Sequence, residues 1–127
     1  MPKRKKPPGE SATTGDRLNI RLDLAGGFRI GPGKIAVLEE IARSGSISAA
    51  GRALRMSYRR TWELVEDLNK GFGSPVVDTA AGGSGGGGTT LTQAGKAVIE
   101  RYRAIEVDAA EAARKHLLAL SRFRVTK

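Results

Sequence analysis

Cysteine is missing altogether, so neither a disulfide framework nor a thiolate metal site can form. There is a single histidine, His116, and aromatic residues make up only 5% of the chain. No apolar run approaches the roughly 18 residues a membrane span needs. The opening MPKRKKPPGE is charged and proline-rich, and no apolar segment follows it as one would in a secretory signal. Carboxylates come in adjacent pairs, Glu39 with Glu40 and Glu66 with Asp67, on helix-like stretches where neighbours point different ways. No nucleophile, base and ligand set is assembled, so the sequence argues against an enzyme and for no metal and no cofactor. It also argues for a cytoplasmic, nucleoid-associated protein with no membrane partner.

Positive charge, by contrast, is plentiful. Lysine and arginine number 22 against 13 acids, giving a formal net charge of +9 and a sequence pI of 10.5. Such a balance favours acidic partners, nucleic acid first. Its placement says more than its total. Lys3, Arg4, Lys5 and Lys6 cluster at one end, and Arg114, Lys115, Arg122, Arg124 and Lys127 at the other. Arg52, Arg55, Arg59 and Arg60 lie in the middle with no acid among them.

That middle stretch, GSISAAGRALRMSYRRTWELVEDLN, reads as two helices joined by a short turn. Ala49, Ala50, Gly51 and Ala53 are small enough for two helices to approach closely, and Leu54 and Met56 supply apolar contacts around the turn. Ser57 is placed to cap the second helix. Thr61, Trp62, Val65 and Leu68 recur at helical spacing and are expected to face inward, with Trp62 and Phe72 in the core. Tyr58, Arg59, Arg60 and Glu63 are then left facing outward. This is the layout of a helix-turn-helix, whose second helix enters the DNA major groove.

The flanks extend the pattern. Residues 1–17 have the composition of a disordered basic arm. Residues 18–24, LNIRLDL, alternate with period two and predict a half-buried strand, after which Ala25-Gly26-Gly27 leads to a short return at Phe28 and Ile30. Pro32 opens a helix with Ile35, Leu38, Ile41 and Ala42 as its apolar stripe. Beyond the recognition segment, Val76-Val77-Asp78-Thr79 and Thr89-Thr90-Leu91 are two β-prone runs joined by a glycine-rich loop. They predict a β-hairpin wing. Gly83, Gly85 and Gly88 formally fit G-x-G-x-x-G, but no βαβ unit surrounds them, and a lone glycine motif is weak evidence for a nucleotide site. A flexible linker is the competing reading of the glycines.

Residues 92–121 contain one glycine, Gly95, and no proline, which allows a helix of nearly thirty residues. Val98, Tyr102, Ile105, Ala109, Ala112 and His116 alternate in steps of four and three, with Leu117 and Leu120 continuing, as a heptad seam does. The expectation is a dimerisation helix followed by a basic tail, residues 122–127. The alternative is a helix whose first half packs on the domain and whose second half lies on its surface.

With these elements placed, SGSISAAGRALRMSYRRTWELVEDLN and FGSPVVDTAAGGSGGGGTTLTQAGKAVIERY resemble the N-terminal DNA-binding domain of the molybdate-dependent regulator (ModE) family. The helix-turn-helix alone also resembles LysR-type regulators. Most specific is the glycine-rich wing followed by Leu91, Thr92 and Gly95 in a Leu-Thr-x-x-Gly pattern. The resemblance implies a winged helix-turn-helix that dimerises on a palindromic operator, with Ser57, Tyr58, Arg59 and Arg60 and the glycines of residues 82–88 as carried-over positions. Family wings commonly carry a lysine where this chain has Ser84, which would weaken a phosphate contact there. The molybdate-binding domains that follow in full-length members have no counterpart before Lys127, so oxyanion sensing is not expected to transfer, nor is a small-molecule effector expected within this chain.

The fold class read from the sequence is therefore mainly α with a small β-hairpin: a winged helix-turn-helix over residues 18–91 with a long C-terminal dimerisation helix. The expected partners are double-stranded DNA and a second copy. The expected DNA-facing residues are Arg52, Arg55, Ser57, Tyr58, Arg59, Arg60, Glu63, Gly83, Ser84, Gly85, Gly86, Gly87 and Thr89. Among them Arg59 and Arg60 are assigned to base edges, and Arg52 and Arg55 to phosphates. A sequence-neutral nucleoid protein and a winged-helix protein-interaction module are the two rival readings.

Overall fold

The computed structural model describes residues 16–79 and 88–124. Two antiparallel hairpins and four helices alternate along the chain. The first hairpin pairs β1 (Leu22–Leu24) with β2 (Phe28–Ile30), Leu22 lying opposite Ile30. Its turn needs positive φ twice in succession, +88° at Gly26 and +84° at Gly27, which only consecutive glycines adopt readily. The strand is shorter than residues 18–24 because its partner is only three residues long, so the ladder ends where β2 does. The alternation survives without the pairing: Leu18, Ile20 and Leu22 are half-buried and Asn19, Arg21 and Asp23 exposed. Leu24, at the turn, is exposed.

Helix α1 (Pro32–Ser44) starts on a proline whose missing N–H costs nothing there, and stops at Gly45, whose left-handed conformation lets its N–H reach the Ile41 carbonyl at 2.7 Å. Ile35, Val37, Leu38 and Ile41 are wholly buried. Val37 takes the place expected for Ala42, which is exposed. Helix α2 (Ile47–Ala53) and helix α3 (Tyr58–Gly71) are each capped by a serine: Ser46 Oγ accepts from the Ala49 N–H and Ser57 Oγ from the Arg60 N–H, both at 3.0 Å. On α3 the buried face is Thr61, Leu64, Val65 and Leu68.

The second hairpin pairs β3 (Val77–Thr79) with β4 (Thr89–Leu91), with Val77 opposite Leu91 and Thr79 opposite Thr89. Helix α4 (Gln93–Ser121) follows at once, 29 residues or roughly 43 Å long. Thr92 seats its start. Its hydroxyl donates to the Pro75 carbonyl at 2.7 Å and accepts from the Gly95 N–H at 3.1 Å.

The chain forms two compact units. Among the described residues, those from 21 to 101 make the first, with the helix-turn-helix, both hairpins and the start of α4; residues 16–20 and 102–124 make the second. In the second, Tyr102 is buried and its hydroxyl donates to the Ile20 carbonyl at 2.5 Å, Arg103 pairs with buried Glu106 at 2.6 Å, and Arg124 donates to Asp16 at 3.1 Å.

Candidate nucleic-acid interface

The turn between α2 and α3 is closed by backbone bonds from the Met56 N–H to the Gly51 carbonyl (2.8 Å) and from the Arg55 N–H to the Arg52 carbonyl (3.2 Å). Gly51 is there for space. A Cβ at that position would stand 2.6 Å from Thr61 Oγ1 and 3.1 Å from the Met56 carbonyl oxygen. Thr61 is fully buried and its hydroxyl donates to the Ser57 carbonyl at 2.8 Å, so the two helices meet on a satisfied polar contact. Arg55 takes φ +58°, a left-handed position in the middle of the turn.

With α3 held this way, its first turns present side chains outward. Ser57, Tyr58, Arg59, Arg60 and Glu63 are all exposed. Arg59 Nε lies 3.4 Å from Glu63 Oε2, a solvated i,i+4 pair of small energy, about 0.3–0.5 kcal/mol. Arg52 donates to Ser48 Oγ at 3.0 Å on α2. Arg55 and Arg60 have no ion pair among the described residues. Of these four exposed guanidinium groups, only that of Arg59 has an acidic partner among the described residues.

Beside α3 the second hairpin is fixed by one side chain. Asn69 Oδ1 accepts from the Val76 and Val77 N–H groups at 2.8 and 3.0 Å, and its Nδ2 donates to the Val77 carbonyl at 3.3 Å. On the other strand, the Thr89 N–H donates to the Gly45 carbonyl at 3.0 Å. Thr89 itself is buried, so its expected place on the DNA-facing surface is corrected: it anchors the loop-side end of the ladder to the end of α1. Gly83, Ser84, Gly85, Gly86 and Gly87 lie outside the described residues.

Trp62 requires the larger correction. Expected in the core, it is 42% exposed, and Leu64 fills the inward position instead. The buried face of α3 centres between Thr61 and Leu64, which turns Trp62 onto the flank, one helical turn beyond Tyr58. Tyr58, Arg59 and Trp62 bound a mainly apolar recess, and Tyr58 and Trp62 also line a groove with Ser46, Ile47, Ser48, Thr79 and Thr89. The signal for it in the sequence was the i,i+4 spacing of two aromatics immediately around the arginines. Phe72 is half-buried, its ring edge-on to Phe28 at 5.0 Å.

On α4, Ile105, Ala112, His116 and Leu120 are exposed, and Val98, Ala109 and Leu117 are half-buried. Tyr102 is withdrawn from that stripe, because its ring and hydroxyl are engaged within the same chain. Phe123, not anticipated, lies seven residues past His116 and is 82% exposed. Among the described residues no group of histidine, aspartate and glutamate is clustered to hold a metal ion, and no helix is long and apolar enough to cross a membrane.

The family model for bacterial regulatory helix-turn-helix proteins of the LysR type matches residues 33–96, from the first turn of α1 through the start of α4. The chain belongs to the LysR family of bacterial regulatory helix-turn-helix proteins. It is similar to the molybdenum-pterin-binding protein MopB of Rhodobacter capsulatus, 45% identical over 85 residues that cover 67% of this chain and 32% of that protein. It is also similar to the molybdenum transport protein ModE of Azotobacter vinelandii, 36% identical over 89 residues covering 70% and 33%. The DNA-binding transcriptional dual regulator ModE of Escherichia coli K12 is 38% identical over 71 residues, covering 56% and 27%. The chain therefore spans about a third of the length of these relatives. A crystal structure of a LysR family transcriptional regulator shares the fold, with a TM-score of 0.52 at 17% identity, over 73% of this chain and 30% of that one.

Proposed function

We propose that this chain is the operator-reading part of a transcriptional regulator, that it acts as a homodimer on a two-fold-symmetric site, and that it works on the chromosome in the cytoplasm. The observation that carries the reading is the first turn of α3: a serine-capped helix start that projects Tyr58, Arg59 and Arg60 outward beside a hairpin. In a helix-turn-helix the recognition helix reads base edges with its N-terminal residues. Arg60, free of any acidic partner among the described residues, is the best bidentate reader of a guanine edge. Arg59 is the second, once it exchanges Glu63 for DNA. Arg52 and Arg55 hold phosphates.

The second copy is supported by α4. Ile105, Ala109, Ala112, His116 and Leu120 share one stripe, and Phe123 prolongs it past the helix end. Regulation rather than catalysis is the activity we assign, in keeping with the regulatory helix-turn-helix family.

The test is selection of preferred duplexes from a random double-stranded library at physiological salt. A palindromic consensus is expected. Arg60→Ala should then cost about 1–3 kcal/mol on the selected site and flatten its sequence preference. Equal loss on selected and random duplexes would remove Arg60 from base reading. The net charge of +9 favours a second reading, a sequence-neutral chromosomal protein. Random duplex competing equally with the selected one would establish that reading instead.

A further inference from the structure

We propose that Trp62 is a thymine reader: with Tyr58 it forms an apolar recess beside Arg59 that takes the 5-methyl group of a thymine in the major groove. The inference rests on the DNA-reading function above and names a specificity-determining residue within it. Three observations converge. First, Trp62 is 42% and Tyr58 58% exposed, although an unoccupied indole and phenol face on a small domain is unfavourable and α3 has a full set of smaller residues buried inside it. Second, the two rings sit one helical turn apart within the first five residues of α3, the part of a recognition helix that goes deepest into the groove. Third, the recess they form is mainly apolar, yet Arg59 lines it in a chain of net charge +9, so its occupant is an apolar group attached to a polyanion.

The thymine methyl meets that description, since it is the apolar group that the base pairs of unmodified DNA display on the major-groove floor. A sugar face would also be apolar, but it carries no sequence information and predicts a different outcome below. Arg59 lining the recess then explains why an aromatic pair and a guanine-reading cation occupy adjacent positions: together they read a step in which thymine neighbours guanine.

The experiment uses the full chain and the duplex it selects from a random library. Each thymine is replaced in turn by uracil, which keeps pairing and the O4 acceptor and removes only the methyl. Wild-type protein should lose about fourfold in affinity at one thymine per half-site, the worth of one buried methyl. Trp62→Ala should bind the parent duplex more weakly and show no uracil penalty at that position, whereas Trp62→Phe, which keeps an apolar wall, should retain a penalty. Unchanged wild-type affinity at every uracil position overturns the proposal, and so does a Trp62→Ala variant that keeps the penalty. A Trp62→Ala loss equal on selected and random duplexes also overturns it, because Trp62 then lies against the sugar–phosphate backbone. If the library yields no preferred duplex, sequence reading itself fails and this inference with it. A selected site that shows no methyl effect leaves the reading function standing and removes only the role of Trp62.

Discussion

Arg55 is a non-glycine residue at positive φ, +58°, in a turn whose job is to aim a helix. A side chain there costs about 1 kcal/mol relative to glycine. What it supplies in exchange, on the function proposed above, is a guanidinium placed to hold a backbone phosphate. Arg55→Gly should therefore have opposite effects on two measurements. Stability in urea should rise by about 0.5–1 kcal/mol. The salt dependence of DNA binding should become shallower by about one phosphate contact per protein copy. A variant that is stabilised with an unchanged salt slope would show that the arginine is no phosphate ligand. Gly51 is the reverse case, a residue whose worth lies in having no side chain. Gly51→Ala would press a methyl onto Thr61 Oγ1 and the Met56 carbonyl, and should lower stability by about 1–3 kcal/mol. Its effect on DNA affinity should exceed its effect on unfolding, because the angle between α2 and α3 is what the methyl disturbs.

At the scale of elements, α4 carries the clearest prediction. Leu120 is 61% and Phe123 82% exposed, so neither contributes much to the fold of a single chain. Leu120→Glu should leave the unfolding midpoint within about 0.5 kcal/mol, yet weaken self-association by at least tenfold, about the worth of a buried leucine. Sedimentation across a concentration range reads both states. An unshifted mass distribution would mean the seam is not an interface.

How legible each element was follows from what fixes it. The helix starts were readable because their signals are local: Pro32 opens α1 and Ser57 caps α3, and both behave as their chemistry dictates. The extent of β1 was not, because a strand ends where its partner ends, and Ile30 lies eight residues away from Leu22. Trp62 was misplaced for a related reason. Helical spacing gives a face roughly 100° wide, and Trp62 stands at its margin, where the choice between Trp62 and Leu64 depends on what packs opposite. The spacing took Trp62 with Thr61, Val65 and Leu68; the space beneath α3 takes Leu64. Thr89 shows the same limit, since only the Gly45 carbonyl across the fold reveals that it is an anchor.

At the scale of the whole chain, the second compact unit joins residues far apart in sequence. Tyr102 bonds to Ile20, 82 positions earlier, and Arg124 to Asp16, 108 positions earlier. The Tyr102 phenol is pushed above its ordinary value of 10.0, first by burial and then by the Glu106 carboxylate, with Arg103 opposing. The fold thus favours the neutral phenol. Its contribution is complete below the unfolded value near 10 and is lost as pH rises through the higher folded value. Stability of the wild-type protein should fall more steeply above pH 10 than that of Tyr102→Phe. The variant should itself be about 1 kcal/mol less stable at neutral pH, because the Ile20 carbonyl loses its donor. Parallel pH profiles for the two proteins would rule out this linkage.

The three hydrogen bonds of Asn69 have a consequence for how such a reader can change its target. They join α3 to the hairpin from the last turns of the helix, on the flank away from Arg59, Arg60 and Glu63. The positions proposed to meet DNA and the position that keeps helix and hairpin in register are therefore separate. Arg59, Arg60 and Glu63 can be exchanged for other side chains while Asn69 keeps the scaffold constant. The recognition surface is in that sense interchangeable: new operator preferences are reachable by a few outward substitutions, with no repacking of the core beneath them.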